Sequence, residues 1–208
     1  MVEQSPEKAC VAGSIPAETT TYMKFLYSFN HQKNIRFDSF KTALELANER
    51  NHKIIVETGV ARGKIKFFFI KKFNWKDGMS TLLFSEYARF KNGHLYACDI
   101  EKKNILNAQY FCKKNKEFCT FITDDSHKFL NNFNKKIDFL YLDSLDGQFE
   151  GASEHQLEEF KFAEKKLSDN CLVLLDDKGL KTNLSIDYMT KNGLKIINET
   201  EQQVLLSY

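Results

Sequence analysis

Acidic side chains follow each of five short apolar segments of this sequence. These acids are Glu57, Asp99, the pair Asp124 and Asp125, Asp143, and the pair Asp176 and Asp177. Carboxylates that are gathered at one place repel each other unless a positive group lies among them. If the fold brings these segment ends together, the pattern indicates a site for a cationic ligand, a metal ion or both.

The five apolar segments are typical of β-strands, because they are rich in aliphatic and β-branched residues and end at turn-forming or acidic positions. They cover residues 53–57, 94–98, 119–122, 137–142 and 171–175. Between them, apolar residues at helical spacing predict helices over residues 38–50, 80–91, 103–114 and 154–167. Such alternation predicts a parallel sheet covered on both faces, with its ligand site at the carboxyl ends of the strands.

The C-terminal part of the chain follows a different pattern. Residues 194–197 and 204–207 are two further apolar segments, and the polar turn between them is too short for a crossover helix. They are therefore expected to form an antiparallel hairpin. The predicted fold class is α/β, with a Rossmann-like, doubly wound and mostly parallel sheet that is flanked by helices and ends in an antiparallel β-hairpin.

The 208 residues fit one domain with a substantial core, which we place at residues 23–208. Residues 1–22 are rich in Ser, Thr, Glu, Pro and Ala and have no periodicity, so they are predicted to be a disordered tail. A second hypothesis is that this tail is spurious and that the protein begins at Met23.

Residues 64–77 interrupt the glycine-containing segment that follows the first strand. The insertion holds four phenylalanines, the single tryptophan and five lysines. Such a segment could close over a bound ligand as a lid, pack on a partner subunit, or fold its aromatic side chains onto its own domain.

Composition excludes several classes of partner. The 30 Lys and Arg against 28 Asp and Glu give a net charge of +2, which disfavours a nucleic-acid-binding surface. Apolar runs are too short to cross a membrane. Five cysteines without metal-ligand spacing, together with the lack of a secretory signal, predict reduced thiols and a cytoplasmic location. A homo-oligomer is left open.

The segment Glu57-Thr58-Gly59-Val60-Ala61-Arg62-Gly63 disfavours a dinucleotide cofactor. A dinucleotide site needs closely spaced glycines whose N–H groups meet the pyrophosphate, and here an acid directly precedes the loop. S-adenosylmethionine has no phosphate, and it carries a sulfonium, an ammonium and ribose hydroxyls that suit carboxylate partners. The acid-lined edge therefore favours S-adenosylmethionine over NAD.

This segment, continued by Asp77-Gly78-Met79-Ser80-Thr81-Leu82, resembles the interrupted glycine motif of class I S-adenosylmethionine-dependent methyltransferases. The similar branch is the macrocin- and novobiocin-type sugar O-methyltransferases, or methyltransferase family 24. Motifs at residues 96–100, 123–126, 142–146 and 175–177 follow in the order of that branch. The resemblance covers residues 38–208 and implies a methyltransferase.

The resemblance also implies which residues contact the cofactor. They are Glu57, Gly59, Gly78, Ser80 and Thr81 at the methionine end, Asp99 at the ribose, and Ile100, Asp125 and Ser126 at the adenine. Two alternatives stay open. Ser80 could simply cap its helix, and Asp124 could take the place of Asp125.

A metal site is expected at Asp143, Asp176 and Asp177, which follow two strands that should be neighbours in the sheet. Ligation by oxygen alone favours Mg²⁺ over Zn²⁺, and the resemblance implies a metal at these positions. The alternative is that one of these acids caps a loop and that the cluster binds no metal.

The catalytic base is harder to assign, since the sugar-modifying relatives have it two residues after the first metal ligand, where this chain has Leu145. Asp146 is the nearest substitute. His155 is a second candidate, unless it only hydrogen-bonds locally at the start of its helix.

The expected function is metal-assisted O-methylation of a sugar, a glycan or another small hydroxylated metabolite. The alternatives are a non-catalytic domain that binds S-adenosylmethionine, and a transferase of the same fold such as an aminopropyltransferase.

Overall fold

The computed structural model describes residues 23–66 and 70–208. The strands are β1 (Ile54–Thr58), β2 (Lys64–Lys66), β3 (Ile70–Lys72), β4 (His94–Asp99), β5 (Cys119–Thr123), β6 (Ile137–Leu142), β7 (Leu167–Leu175), β8 (Lys195–Glu199) and β9 (Val204–Ser207). The α-helices are α1 (Phe37–Glu49), α2 (Ser80–Lys91), α3 (Lys102–Phe111), α4 (Ser126–Asn132), α5 (Ala152–Glu164) and α6 (Asn183–Lys191). Short 3₁₀ helices cover Lys24–Phe29, Trp75–Asp77 and Lys113–Phe118.

Seven strands form one sheet in the order β5-β4-β1-β6-β7-β9-β8. The pairs β1–β4, β4–β5, β1–β6 and β6–β7 are parallel, whereas β9 runs antiparallel to both β7 and β8. The predicted fold class and the terminal hairpin are confirmed. Strands β4 and β5 lie on one side of β1, and β6 and β7 lie on the other, so the strand order reverses at β1. Open α/β sheets bind ligands at such a switch point.

Both faces of the sheet are buried, which explains the nearly continuous apolar strands. On β6, Phe139 and Tyr141 join the cluster on one face, and Leu140 and Leu142 join the cluster on the other. Helices α1 and α2 cover the first face, and α5 and α6 contribute to the second. Burial of each large apolar side chain stabilises the fold by roughly 1.5–3 kcal/mol.

The structure differs from the predicted elements at β7, α4 and α6, and it adds the short strands β2 and β3 within the insertion. The strand expected at 171–175 begins earlier, at Leu167, the residue where the preceding helix was expected to end. Helices α4 and α6 were not predicted. Helix α4 has seven residues, too few for a clear period, and begins where the Asp125 side chain accepts a hydrogen bond from the Lys128 N–H. Helix α6 buries only Ser185 and Met189, so its apolar stripe is weak.

The described aromatic side chains of the insertion pack on their own domain. Trp75 stacks on His31 with ring centroids 5.0 Å apart and meets the edge of Phe29. Phe73 lies 5.3 Å from Phe111. These contacts match the third of the alternatives for this segment. Phe67–Phe69 and the predicted tail at 1–22 lie outside the described residues.

Within the described ranges, no helix has the length and apolarity that a membrane span requires. The four described cysteines, Cys98, Cys112, Cys119 and Cys171, are free. Burial raises the pKa of the Cys98 thiol to about 12, so this thiol stays protonated and unreactive at neutral pH.

Candidate cofactor and acceptor site

Two cavities adjoin at the carboxyl ends of β1, β4 and β6. The larger has a volume of about 230 Å³ and the smaller about 170 Å³. Both are lined by Gly59, Asp99, Ile100, Ser144 and Leu145. The two cavities therefore share a boundary at the switch point of the sheet, where the sequence places its acids.

Gly59 allows the ends of β1 and β6 to approach each other closely. Its φ of +76° lies in the left-handed region, and a Cβ at this position would be 2.2 Å from the Asp143 carbonyl oxygen. Any side chain here would push apart the two strand ends that form the floor of the site. Glycine is thus required at this position for two separate reasons.

Glu57 is fully buried beneath the loop that follows β1. Its Oε1 accepts a hydrogen bond of 2.6 Å from the Ser80 hydroxyl, whereas its Oε2 has no hydrogen-bond partner among the described residues. Burial raises the pKa of Glu57 to about 8, although the hydrogen bond from Ser80 opposes the rise. A buried oxygen without a partner is the kind of group that a ligand donor would satisfy.

Ser80 and Thr81 position the loop from below. The Thr81 hydroxyl accepts a hydrogen bond from the Ala61 N–H at 2.8 Å, and Ser80 is the first residue of α2. Because Met79 is the N-cap, the alternative that Ser80 caps the helix is wrong. Gly78 packs against Phe40, which a Cβ would meet at 2.6 Å.

Asp99 ends β4 between the two cavities. Its Oδ1 accepts a hydrogen bond of 2.7 Å from the Glu101 N–H, and its Oδ2 accepts one of 3.2 Å from the Val60 N–H. The Asn104 amide contacts both oxygens. These donors fix the carboxylate in the orientation in which it lines both cavities.

The smaller cavity is bordered by Asp125, Ser126 and His155. The His155 Nε2 lies 2.9 Å from the Ser144 Oγ and 3.6 Å from the buried Glu159. The nearby Glu159 carboxylate raises the pKa of His155 against the opposing effect of burial. A histidine that is paired with a buried carboxylate is also the usual arrangement of a general base, so the role of His155 as a base stays a prediction.

Asp143, Asp176 and Asp177 come together as expected, with one carboxylate oxygen of each within 4.8 Å of the others. All three line the larger cavity. Asp177 has a φ of +57°, an uncommon backbone conformation for a residue other than glycine. The strand ends thus hold three carboxylates together at the bottom of the site.

Arg36 forms a bidentate ion pair with Asp176. Its Nε and Nη2 donate to Oδ1 and Oδ2, each at 2.7 Å, and Nη2 also lies 3.2 Å from Asp177. The Gln203 amide donates a further hydrogen bond of 2.7 Å to Asp176. Burial disfavours the charged form of Asp176, but the bonds and charge of Arg36 outweigh it and hold the pKa of this carboxyl below its usual value.

Lys181 lies on the other side of the acidic cluster, with its side chain 1% exposed. Its ammonium is 3.2 Å from the Asp143 carboxylate, 3.4 Å from the Asp177 carboxylate and 2.8 Å from the Leu145 carbonyl oxygen. Two cations therefore contact the three aspartates. Burial and the neighbouring Asp176 charge raise the pKa of Asp143 well above its usual range, which favours a cluster without net charge.

The expected Mg²⁺ does not fit this arrangement. It prefers oxygen ligands at about 2.1 Å in octahedral geometry, but oxygens of all three aspartates already contact the guanidinium or the ammonium. A metal would have to displace Lys181, which is buried and has no other anionic partner among the described contacts. The cluster itself was predicted correctly, and its cations were missed.

Asp146, the first candidate for the base, lines the larger cavity. It is paired with Arg62, whose Nη2 lies 2.6 Å from its Oδ1. Arg62 is about half exposed, so the pair lies at the mouth of the cavity. The ion pair with Arg62 therefore fixes the position of the Asp146 carboxylate.

The structure brings five of the nine predicted cofactor residues to the cavities: Gly59, Asp99, Ile100, Asp125 and Ser126. Asp124 lines neither cavity, which favours Asp125 of the two. The other four, Glu57, Gly78, Ser80 and Thr81, also line neither cavity. Thr81 bonds to the loop at Ala61, and Ser80 bonds to Glu57. Their direct contact with the cofactor stays a prediction.

The residues that sequence reasoning missed are mainly cations and hydrogen-bond donors. They are Arg36, Arg62, Asn104, Lys181 and Gln203. Only Lys181 had a local signal, because it follows Asp177 by four residues, the spacing of an ion pair on a helical turn.

Comparison with known proteins identifies a related family. Residues 75–178, half of the chain, match the model of methyltransferase family 24, which describes a methyltransferase domain. No curated protein sequence matches the chain.

Solved structures share the fold at low sequence identity. A methyltransferase from Geobacter sulfurreducens is 13% identical with a TM-score of 0.59, covering 89% of this chain and 85% of its own. The O-methyltransferase NovP is 13% identical with a TM-score of 0.57, covering 83% of this chain and 78% of its own. An O-methyltransferase from Bacillus cereus, solved with S-adenosylhomocysteine, is 10% identical with a TM-score of 0.58, covering 93% of each chain.

Proposed function

The chain belongs to this family of S-adenosylmethionine-dependent methyltransferase domains, and we propose that it methylates an oxygen of a sugar or another small hydroxylated acceptor. The observation that carries the proposal is the pair of adjoining cavities at the switch point of the sheet, which share Gly59 and Asp99. One cavity has the partners that an adenosine needs. The other holds the acidic groups beside which an acceptor hydroxyl would lie.

The residues around the smaller cavity fit the adenosine end of the cofactor. Asp99, already fixed by backbone and amide donors, has oxygens that can also accept from ribose hydroxyls. Ile100 offers an exposed apolar surface for the adenine ring, and Asp125 and Ser126 offer polar groups at its edge. The smaller cavity is also mainly apolar in its lining, as expected of a site for a ring.

The residues beneath the larger cavity fit the methionine end. The cofactor carries an ammonium, and the buried Glu57 Oε2 is an acceptor without a hydrogen-bond partner among the described residues. Gly59 leaves space above the strand ends that any side chain would fill. The bound cofactor supplies an activated methyl group on a sulfonium, and the protein has to align an acceptor oxygen with it.

The proposed reaction forms a bond between the acceptor oxygen and the methyl carbon while the bond from that carbon to sulfur breaks. The hydroxyl proton must leave during this step, and Asp146 at the cavity mouth is the proposed base. Arg62 restrains Asp146 until an acceptor separates the pair. Mg²⁺ has no role in the proposed reaction, because Arg36 and Lys181 already pair with its expected ligands.

The acceptor is proposed to be neutral or cationic and small. The net charge of the chain is only +2, which disfavours a polyanion such as RNA. A cytoplasmic location is proposed from the four free cysteines among the described residues. We retain the proposal of a protein that acts without nucleic acid or membrane, whether as a monomer or as a homo-oligomer.

Cofactor binding is tested by Asp99→Asn, with Asp124→Asn as the matched control. Asp99 ends β4 and Asp124 directly follows the neighbouring β5, but only Asp99 lines the two cavities. Loss of charge-assisted bonds to the ribose, at about 1.5–3 kcal/mol, predicts roughly 10- to 100-fold weaker S-adenosylmethionine binding in Asp99→Asn by calorimetry. Asp124→Asn should bind like the wild type.

The reaction is tested by incubating the full chain with S-adenosylmethionine that carries a labelled methyl group and a panel of sugars and phenols. Release of S-adenosylhomocysteine together with a labelled ether is the expected result. Binding of the cofactor without transfer to any acceptor would favour the non-catalytic alternative. Equal affinity of both asparagine variants would contradict the assigned cofactor site.

A further inference from the structure

The acidic cluster has the ligands of a metal site but already contains two cations. Arg36 and Lys181 contact Asp143, Asp176 and Asp177 from opposite sides. We propose that the Lys181 ammonium takes the place of a divalent metal in this cluster, so that methyl transfer by this chain is independent of metal ions. This inference rests on the proposed function only for its statement about turnover.

The Lys181 ammonium makes two hydrogen bonds, to Asp143 and to the Leu145 carbonyl oxygen, and an ion-pair contact with Asp177. An ammonium has three donors, and three acceptors surround it: Asp143 at 3.2 Å, Asp177 at 3.4 Å and the Leu145 carbonyl oxygen at 2.8 Å. A buried lysine is costly unless it is paired in this way. The ammonium is therefore surrounded by oxygen atoms, as a bound metal ion would be.

The backbone holds Lys181 in this position. Its N–H donates to the Asp177 carbonyl oxygen at 3.2 Å, and its own carbonyl oxygen accepts from the Ser153 hydroxyl at 3.0 Å. The turn between Asp177 and Lys181 is further fixed by the Gly179 N–H, which donates to the Thr182 hydroxyl at 3.2 Å. Both ends of the residue are anchored, so the ammonium is preorganised among the carboxylates.

Lys181 also connects the cluster to the loop that holds the proposed base. Its bond to the Leu145 carbonyl oxygen fixes the residue directly before Asp146. In this role Lys181 is a positioning residue, since it acts through Asp143 and Leu145. The same contact that satisfies the acidic cluster therefore also sets the floor of the larger cavity, which Leu145 lines.

The proposal is tested by titrating the full chain with Mn²⁺, whose bound and free forms differ in their electron paramagnetic resonance spectra. The wild type is expected to bind no stoichiometric Mn²⁺ up to roughly 1 mM, because the ammonium repels it. Lys181→Ala removes that charge and leaves space, so it should gain one Mn²⁺ site that is at least about tenfold tighter. Lys178→Ala is the matched control, since Lys178 pairs with Glu199 away from the cluster.

Methyl-transfer activity provides a second, independent test of the proposal. Wild-type activity should be unchanged after treatment with a chelator, whereas Lys181→Ala should lose activity and regain part of it with Mn²⁺. If Lys181 had only a structural role, its replacement would not create a metal-binding site. Lys181→Gln keeps a hydrogen-bonding side chain of similar length and replaces Lys181→Ala if that variant does not fold.

The results that would overturn the proposal are distinct from failure of the proposed function. One Mn²⁺ bound per wild-type chain as tightly as in Lys181→Ala would overturn it, as would a folded Lys181 variant that gains no site. If neither variant folds, the wild-type titration alone decides. Absence of methyl transfer with any acceptor would count against the proposed function and leave the Mn²⁺ titration unaffected.

Discussion

Replacing Arg36 by methionine should destabilise the fold strongly, because it strands a buried carboxylate. Asp176 is 1% exposed, and the two guanidinium bonds of 2.7 Å are its main charge partner. Methionine retains much of the side-chain volume while removing the charge and all five donors. Gln203 would still donate to Asp176, but an amide carries no compensating charge.

The magnitude follows from the burial of both partners. The Arg36 side chain is 12% exposed, so the pair is not screened as a surface ion pair would be. Breaking such a pair by removing one member costs about 3–5 kcal/mol. For a chain of this size, each kcal/mol lowers the melting temperature by about 2–4 °C, which predicts a fall of roughly 6–20 °C.

The cost should depend on pH in a specific direction. Arg36 holds the pKa of Asp176 below its usual value against the effect of burial, so the pair contributes stability above the unfolded pKa of about 3.9. That contribution is lost as the pH falls through the native pKa. In Arg36→Met, burial without the guanidinium raises the pKa of Asp176. The difference in unfolding free energy between variant and wild type should therefore be largest at neutral pH. As the pH is lowered, this difference should begin to shrink before pH 4 is reached.

The assay is equilibrium unfolding in urea of four proteins: the wild type, Arg36→Met, Asp176→Asn and the double variant. The cycle separates the pair from the contact of Arg36 with the Lys76 carbonyl oxygen, which is lost in both backgrounds. We expect a coupling free energy of at least about 2 kcal/mol between the two side chains. A loss below about 1 kcal/mol in Arg36→Met, or additive single effects, would refute the reasoning from burial.

Two further predictions concern the loop after β1. Gly59→Ala should destabilise the protein and abolish cofactor binding, whereas Gly179→Ala should cost only backbone strain. Both glycines have a positive φ, but only at Gly59 would a Cβ collide with the Asp143 carbonyl. Equal losses of unfolding free energy in urea would contradict the close approach. Glu57→Gln should remove a pH dependence, because a native pKa of about 8 makes the wild type lose stability by up to about 1.4 kcal/mol per pH unit between pH 4.5 and 8. Parallel slopes for both proteins would show that Glu57 ionises as in the unfolded chain.

The sequence predicted those parts of the site that depend on local pattern. Strand ends can be read from short apolar runs, and parallel strands place their carboxyl ends at one edge. This reasoning brought Asp143, Asp176 and Asp177 together correctly. It also placed Asp99 and Ile100 at the cavity, since each directly follows or ends a strand whose boundaries are clear.

The same reasoning failed where the partner comes from a distant, irregular segment. Arg36 is 140 residues from Asp176 and lies just before α1, in a stretch with no periodicity. Gln203 follows the final turn and reaches the same carboxylate from a third direction. Nothing in the local pattern of either residue specifies the contact, because it arises from the packing of α1 and β9 beside the end of β7.

A cluster of carboxylates that is predicted from sequence therefore indicates a metal site only after the lysines and arginines near it are known. Three aspartates at one edge need positive charge nearby, and a metal ion, an arginine or a lysine can each provide it. Strand pattern identifies the acids because they are local, while the cations reach them on long side chains from loops. Of the two cations that contact the three aspartates, Lys181 is the one with a recognisable spacing, four residues after Asp177. Where a lysine or arginine follows a strand-end acid at that spacing, an internal ion pair should be weighed against a metal before a metal is assigned.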